Sequence, residues 1–315
     1  KTLFPYTTLF RSKMRVAIIS EKLGTDASSS STVMAAEAIA RGFKVFEFEA
    51  ADITYKNGQL VATCKAYPSG KAAVKTLAKD FDVILFRPNP PVNMAYLTTL
   101  FLLKTIADKV LILNNPDSVI TLPEKISPLY LSKYAPPTVI TRQKTEALEF
   151  LKTHKTVIVK PLYDYGGNGV VKTNSAKELV NLLAGSELAL VIQKFLPDVA
   201  TKGDKRLMFI DGKFCGAVQR VPKKGSYLAN IYQGGSLQKT VLTKKEQQVT
   251  KALERLLKEN DIMIAGVDMV CGMITEINIT SPTGFAWLED LYNINLKKIL
   301  WDIICKRLKA LKNKS

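Results

Sequence analysis

IMIAGVDMVCGMITEINITSPT, residues 262–283, holds two apolar runs on either side of Cys271-Gly272 and ends in the polar tail Ser281-Pro282-Thr283. Two strands joined by a tight turn are expected. Strands that bury their side chains normally exclude ionisable groups, because a bare carboxylate in an apolar setting is very costly. Here Asp268, Glu276 and Asn278 interrupt the runs. Glu276 and Asn278 are two residues apart and share one face of their strand. Two carboxylates and an amide oxygen suit a hard cation such as Mg2+. A solvated hairpin with polar residues on its open face gives the same pattern.

Register sharpens the choice. A strict two-residue turn at Cys271-Gly272 pairs Val267 with Glu276 and leaves Asp268 on the opposite face. A shared metal site therefore requires an odd loop or a β-bulge, and one is expected here.

Outward from this hairpin, the chain has 315 residues, 47% of them hydrophobic, enough for one large α/β domain or two to three smaller ones. The apolar stretch 95–113 is cut by Lys104, Asp108 and Lys109, so no transmembrane span is expected. Cys64, Cys215, Cys271 and Cys305 form no CxxC pair, which argues against a zinc site and a disulfide framework and fits a reducing cytoplasm. His154 is the only histidine and reads as a helix-end surface residue, which disfavours a Ser-His-Asp triad. The net charge of +17 comes from scattered lysines rather than a basic, aromatic-interleaved stripe. It reads as a lysine-rich surface, with a secondary role in attracting anions such as ATP, and does not favour a nucleic-acid partner.

Residues 1–13, KTLFPYTTLFRSK, match no pattern of the fold. They lack the small-residue cleavage site of a signal peptide and read as a disordered extension ahead of Met14. Their deletion should leave activity and thermal midpoint nearly unchanged. From Met14 on, strands at 16–20, 45–48, 83–86 and 110–113 alternate with helices at 32–41 and 94–107. This alternation predicts a mostly parallel α/β sheet. Ser30 or Ser31 would cap the helix at 32, and Gly42 would end it. Asn57-Gly58 signals a type I′ hairpin. Arg87, just past the strand 83–86, lies where α/β sheets bind ligands, although a solvated loop charge would look alike. Helical turns are expected at 123–134, kinked at Pro128, then a strand at 139–140 and a helix at 145–152. The strand 156–161 ends on Lys160 and runs into the glycine loop Gly166-Gly167-Asn168-Gly169. Ser175 and Thr243 open capping boxes with Glu178 and Glu246. The strand 188–195 lies between those boxes, a hairpin turns at Asp211-Gly212, and an amphipathic helix at 291–308 closes the chain.

Glycines after a strand let backbone N–H groups approach phosphate closely. No Walker A, GxGxxG or protein-kinase motif is present. The informative feature is a combination: a lysine ending the strand before the glycine loop, then a hinge-like strand, then acidic strand residues. Cations would neutralise phosphates, and carboxylates would hold Mg2+ bridging them.

Together with RPNPP at 87–91, PEK at 123–125, KPLYDYGGNGV at 160–170, QKFLPD at 193–198, GDKR at 203–206, QRVP at 219–222 and TEINITSPTG at 275–284, the chain resembles the ATP-grasp superfamily. Within it the resemblance is to prokaryotic glutathione synthetases, over about Met14 to Leu308. The resemblance implies an amino-terminal α/β substrate domain at 14–122 and two ATP-grasp lobes at 123–194 and 195–315, with antiparallel sheets that hold ATP between them. Lys125 and Lys160 then look like phosphate-binding lysines under a lid carrying Gly166, Gly167 and Gly169. Gln193, Lys194, Phe195 and Leu196 form the adenine hinge. Arg206 and Arg220 stabilise the transferring phosphoryl group. Asp268, Glu276 and Asn278 hold Mg2+ or Mn2+, and Arg87, Asn230, Ser281 and Thr283 contact the peptide.

The implied reaction joins γ-glutamylcysteine to glycine with ATP through an acyl phosphate, in a cytoplasmic homo-oligomer. Another ATP-grasp carboxylate–amine ligase, or a non-catalytic nucleotide- or nucleic-acid-binding protein, is the alternative. Asp164, Asn89 and Asn93 depart from the usual pattern, with Asp164 expected to turn away from the phosphates. A strict hairpin about Asp211-Gly212 also puts Arg206 and Arg220 on opposite faces, unless the strand breaks or bulges before Val221-Pro222.

Overall fold

A computed structural model describes residues 14–21, 23, 29–231 and 234–312. The extension at 1–13 lies outside the described residues.

Sixteen strands are described, and they form three sheets. The first sheet contains β1 (Arg15–Ile19), β2 (Lys44–Phe48), β3 (Ile53–Lys56), β4 (Gln59–Ala66), β5 (Ala72–Thr76), β6 (Val83–Phe86) and β7 (Leu111–Leu113). Its parallel part, β2-β1-β6-β7, arises because helical crossovers return each strand in the same direction. Tight turns make β3, β4 and β5 antiparallel, so the sheet is mixed. Asn57 and Gly58 take φ of 51° and 77°, as the hairpin between β3 and β4 requires.

The second sheet has the order β10-β9-β11-β8, with β8 (Thr138–Thr141), β9 (Val157–Pro161), β10 (Val171–Thr173) and β11 (Leu190–Lys194). The third has the order β14-β13-β12-β15-β16, with β12 (Asp204–Ile210), β13 (Lys213–Val221), β14 (Ser236–Lys239), β15 (Ile264–Val270) and β16 (Met273–Asn278). Both are antiparallel.

Burial shows how the sheets combine. Val16, Ile18, Val83 and Leu85 pack on Met34, Ala35 and Ala38 of the helix Ser30–Ala40, in one apolar cluster with Met208, Ile210 and Ile264 of the third sheet. The fully buried Trp301 of the last helix, Leu296–Lys312, joins them and donates from Nε1 to the Met34 carbonyl at 3.0 Å. A second cluster likewise holds residues of both the first and third sheets. The second sheet differs: Val157, Val159, Leu190 and Ile192 meet Ala147, Leu151, Leu179 and Leu183 in a separate core. Strand alternation turns the other face of that sheet, with Ile158, Lys160 and Gln193, toward the third sheet.

Asn114, just past β7 and 4% exposed, ties the first sheet to the third. Its Nδ2 donates to the carbonyls of Ile264 (2.8 Å) and Ile279 (2.6 Å), and its Oδ1 accepts from Ile264 N (2.8 Å). Asn114→Leu strands three buried backbone groups and should cost about 3 kcal/mol or more of unfolding free energy, read by denaturant titration.

Several local expectations give way to tertiary packing. The serines at 30 and 31 are helical residues rather than caps; Ser29 takes the cap position, with no side-chain cap bond. The 3-10 segment Ser127–Tyr134 bends at Leu131 (φ −120°, ψ 43°) and not at Pro128, which sits at its start, where its missing N–H costs nothing. The closing helix is two helices, Phe285–Tyr292 and Leu296–Lys312, divided by Asn293 in the left-handed conformation. His154 ends the helix Lys144–His154 half-buried, its ring 4.3 Å from that of Phe150.

Candidate active site

A cavity of about 470 Å3 lies between the second and third sheets. One wall is the third sheet, and its charged row depends on two bulges.

In the hairpin of β15 and β16, Cys271 and Gly272 make a two-residue turn at φ 51° and 73°. Val270 pairs with Met273 and Met269 with Ile274; the register then shifts, and Asp268 pairs with Glu276. Thr275 is the extra residue of this bulge, and its hydroxyl donates to the Asp268 carbonyl at 3.2 Å. The bulge puts Asp268, Glu276 and Asn278 on one face. In the hairpin of β12 and β13 the same device operates. Phe209 pairs with Phe214 but Met208 with Gly216, so Cys215 is the extra residue. Arg206 thereby opposes Val218, Asp204 opposes Arg220, and both arginines share a face. The bulge lies beside the turn, at Cys215, ahead of Val221-Pro222 as the sequence reading required.

Across the strands these residues form a continuous ionic row. Arg220 donates from Nε and Nη2 to the two carboxylate oxygens of Asp204, at 2.7 and 2.6 Å, and its Nη2 lies 2.9 Å from Asp268 Oδ1. Arg206 Nε donates to Asp268 Oδ1 at 2.6 Å. Gly266 makes room for it: a Cβ there would lie 2.6 Å from Arg206 Nη1. Burial would push the Asp268 carboxyl up, but Arg206 and Arg220 outweigh it and hold the group below the usual carboxylate range. Burial likewise opposes the Arg220 charge, and Asp204 and Asp268 together raise its pKa.

Glu276 completes the row, 3.2 Å from Lys125 Nζ. Lys125 is 7% exposed and also donates to the Asp164 carbonyl. Asp164 lines the cavity, so the structure does not turn that residue away as a whole. Glu124, next to Lys125 in the chain, is buried like it: Oε1 accepts from Ile279 N (2.7 Å), Thr280 N (2.9 Å) and Thr280 Oγ1 (2.8 Å). Burial and then the charge of Glu276 push this carboxyl up. Glu124 thus fixes the strand end that presents Ser281 and Thr283.

The opposite wall belongs to the second sheet. Lys160 Nζ donates to Gln193 Oε1 at 3.0 Å, and Gln193 Nε2 donates to Thr138 Oγ1 at 3.0 Å. Burial depresses the Lys160 amine, while the Glu276 charge favours its protonation. Gly166, Gly167 and Gly169 have φ of 65°, 83° and 66°, which the tight turn needs. Gly169 is also hemmed in, since a Cβ would meet Pro161 Cγ at 2.7 Å.

The cavity brings together Lys125, Lys160, Gly166, Gly167, Gln193, Lys194, Phe195, Leu196, Arg206 and Arg220. Asn230, Asp268, Glu276, Asn278, Ser281 and Thr283 line it too. Gly169 and Arg87 stand outside that lining. Arg87 is 3% exposed and donates to the Pro282 carbonyl at 2.9 Å, while its own carbonyl accepts from Ser281 Oγ at 3.1 Å. It braces the Ser281–Thr283 turn from behind instead of facing the cavity. Asn89 pairs with Glu21, its N–H 2.6 Å from Oε1 and its Nδ2 3.1 Å from Oε2. Asn93 caps the helix Met94–Lys104 by accepting from Tyr96 N at 3.0 Å.

Sequence reasoning gave no role to Asp204, Glu124 or Gly266. GDKR and PEK were visible signals for the first two. Nothing in the sequence marks Gly266, whose importance is steric.

The family described as prokaryotic glutathione synthetase, ATP-grasp domain, matches residues 124–293, and that family's N-terminal domain matches residues 14–119. The chain belongs to the prokaryotic glutathione synthetase family. A glutathione synthetase of Rhodopseudomonas palustris is 33% identical over 283 residues, covering 85% of this chain and 90% of that protein. One of Mesorhizobium japonicum is 31% identical over 309 residues, covering 93% and 98%. Among solved structures, a Chryseobacterium gregarium RiPP-associated ATP-grasp ligase in complex with ADP and a leader and core peptide superposes with a TM-score of 0.64. It is 17% identical and covers 94% of this chain and 97% of that one, a likeness of fold. Membership in the family makes this chain a glutathione synthetase-like, ATP-dependent carboxylate–amine ligase.

Proposed function

We propose that the chain joins the cysteinyl carboxylate of γ-glutamylcysteine to the amine of glycine, with ATP converted to ADP and phosphate. The observation that carries this reading is the row of buried Arg220, Arg206 and Asp268 with half-buried Asp204 and Glu276, facing Lys160 and the glycine loop across one cavity. Lys125 and Lys160 neutralise phosphate oxygens, and Gly166 and Gly167 cover them with backbone N–H groups. The hinge Gln193 to Leu196 receives the adenine. Arg206 and Arg220 stabilise the γ-phosphoryl group as the substrate carboxylate attacks phosphorus. The P–O bond to ADP breaks, and the cysteinyl carboxyl becomes an acyl phosphate. Glycine nitrogen then attacks that carbonyl, phosphate leaves, and the amine gives up its proton. Asn230, Ser281 and Thr283 hold the peptide, with Arg87 and Glu124 bracing their turn. No protein nucleophile is needed; positioning and electrostatics suffice.

The donor set of Asp268, Glu276 and Asn278 fits a divalent cation. All three side chains share a face, and Asn278 Nδ2 points to Gly266 O at 3.1 Å, which leaves its amide oxygen for other partners. Bound there, Mg2+ or Mn2+ would supply charge neutralisation between phosphates. The assembly we infer is a homo-oligomer, from family membership. A cytoplasmic location agrees with four free cysteines. No helix among the described residues is long and apolar enough to cross a membrane.

The deciding experiment is ADP release with each substrate omitted in turn. Formation of ADP and a tripeptide only when γ-glutamylcysteine and glycine are both present supports the reading. Equal turnover with other acceptor amines would point to a different ligase of the superfamily, and salt-sensitive nucleic-acid binding without turnover would overturn it.

A further inference from the structure

Thr138 is not among the residues that line the cavity, yet it is bonded to one that is. On the edge strand β8 it lies directly opposite Gln193 of β11, and Gln193 lies opposite Ile158 of β9. Lys160, two residues on from Ile158, shares that face. The side chains of Thr138, Gln193 and Lys160 therefore form one row across three strands. The row has a fixed polarity. The Pro136 carbonyl can only accept, and the Thr138 hydroxyl donates its one proton there at 2.8 Å. Thr138 Oγ1 is left as an acceptor, which Gln193 Nε2 fills at 3.0 Å. Gln193 Oε1 then faces the other way and accepts from Lys160 Nζ at 3.0 Å. At that end an ammonium can only donate. An amide turned round would set its NH2 against the ammonium, donor against donor. Gln193 is 5% exposed, so both ends of its amide need a partner.

We propose that Thr138 is a positioning residue, which acts through the Gln193 amide to hold Lys160 Nζ where it meets the phosphates of the nucleotide. The inference rests on the phosphate-binding reading of Lys160 given above. An ammonium on a four-carbon stem has much rotamer freedom to lose on binding. Gln193 takes one of its three N–H donors and removes that freedom before the nucleotide arrives. The other two donors remain for phosphate oxygens. Without the Thr138 hydroxyl, Gln193 Nε2 becomes a buried donor with no acceptor, a cost that the amide relieves by turning to another acceptor. The turned amide lets go of Lys160, and the nucleotide must then order that side chain itself.

The test is calorimetric binding of ATP with Mg2+, on the full chain without peptide or glycine, beside steady-state kinetics with all substrates. Thr138→Val keeps the side chain's shape and the strand preference and removes the hydroxyl. Its Kd for ATP should rise roughly tenfold, the scale of one hydrogen bond to a charged group. KM for ATP should rise with it, while KM for γ-glutamylcysteine and for glycine move less than about twofold. Thr138→Ser, which restores the hydroxyl, should bring Kd back to within about twofold of the unaltered chain. Gln193→Met breaks the row at its middle, and adding Thr138→Val to it should weaken ATP binding no further. A merely structural role for Thr138 would make the two losses add. Thermal midpoints measured in parallel show which variants are folded. An unchanged Kd in Thr138→Val, no recovery in Thr138→Ser, or additive losses in the double variant would overturn the inference while leaving the nucleotide site in place. Unaltered ATP affinity in Lys160→Met would overturn the phosphate-binding reading of Lys160 and the role of Thr138 with it.

Discussion

Glu276→Gln should lower turnover roughly a hundredfold or more, the scale of losing one major electrostatic element at a phosphoryl-transfer centre. The side chain lies opposite Asp268 across the bulged hairpin and 3.2 Å from Lys125 Nζ. Glutamine keeps the shape and an oxygen toward Lys125, but removes one negative charge from a set that fits a divalent cation. Apparent Mg2+ affinity, read from ADP release at varied Mg2+, should fall with turnover. The fold should hold. From the sequence alone, relief of repulsion between two facing carboxylates suggests a gain in stability. The structure reverses that sign: Asp268 is already bridged by Arg206 and Arg220, and Glu276 by Lys125. The expected change is a loss of roughly 1 kcal/mol in thermal or denaturant unfolding, the scale of one weakened charge-assisted bond. Near-normal turnover with unchanged Mg2+ dependence would overturn the metal-ligand reading of Glu276.

Much of this was legible in the chain because the fold and the chemistry pull against each other at marked places. Carboxylates inside apolar strands at 268 and 276, and a lysine ending the strand 157–161, are costly unless function or a partner compensates. They therefore stand out in sequence, and with their neighbouring motifs they carry the family resemblance. The requirement for a bulge between Asp268 and Glu276 followed from the two-residue period of a strand alone. The same argument demanded a break or bulge ahead of Val221-Pro222 for Arg206 and Arg220, without saying at which residue. Parity fixes how many extra residues are needed, not where they sit. Nothing local distinguishes Cys215 as the residue left over.

Partners distant in the chain were the least legible. Arg87 at the end of a parallel strand suggested a ligand contact, but its guanidinium goes to the Pro282 carbonyl, which only the closed fold brings near. Glu124 and Asp204 stood inside recognised motifs, yet their roles depend on Thr280 and Arg220, which tertiary structure supplies. The helix break at Asn293 was hidden because the amphipathic pattern runs through it, and φ of 59° is tolerated by asparagine without a glycine signal.

Arg220→Met should cost about 3–5 kcal/mol of stability, because Arg220 is 2% exposed and its loss strands Asp204 as an unpaired buried carboxylate. Asp268 would keep Arg206, so the damage should centre on Asp204. Activity should fall as well, but from this variant alone a folding defect and a missing catalytic cation look the same. The double variant Arg220→Met with Asp204→Leu separates them. Replacing both members of a buried ion pair with apolar side chains of similar size is often neutral for stability, since neither charge is then left desolvated. The double variant should recover most of the lost unfolding free energy, measured by denaturant titration. Its turnover should stay down by roughly a hundredfold or more if Arg220 stabilises the transferring phosphoryl group as proposed, because that cation is still missing. Recovery of stability and turnover together would make the Asp204–Arg220 pair architectural, and would leave phosphoryl stabilisation to Arg206 and the two lysines. Recovery of stability without turnover would assign Arg220 to the chemistry.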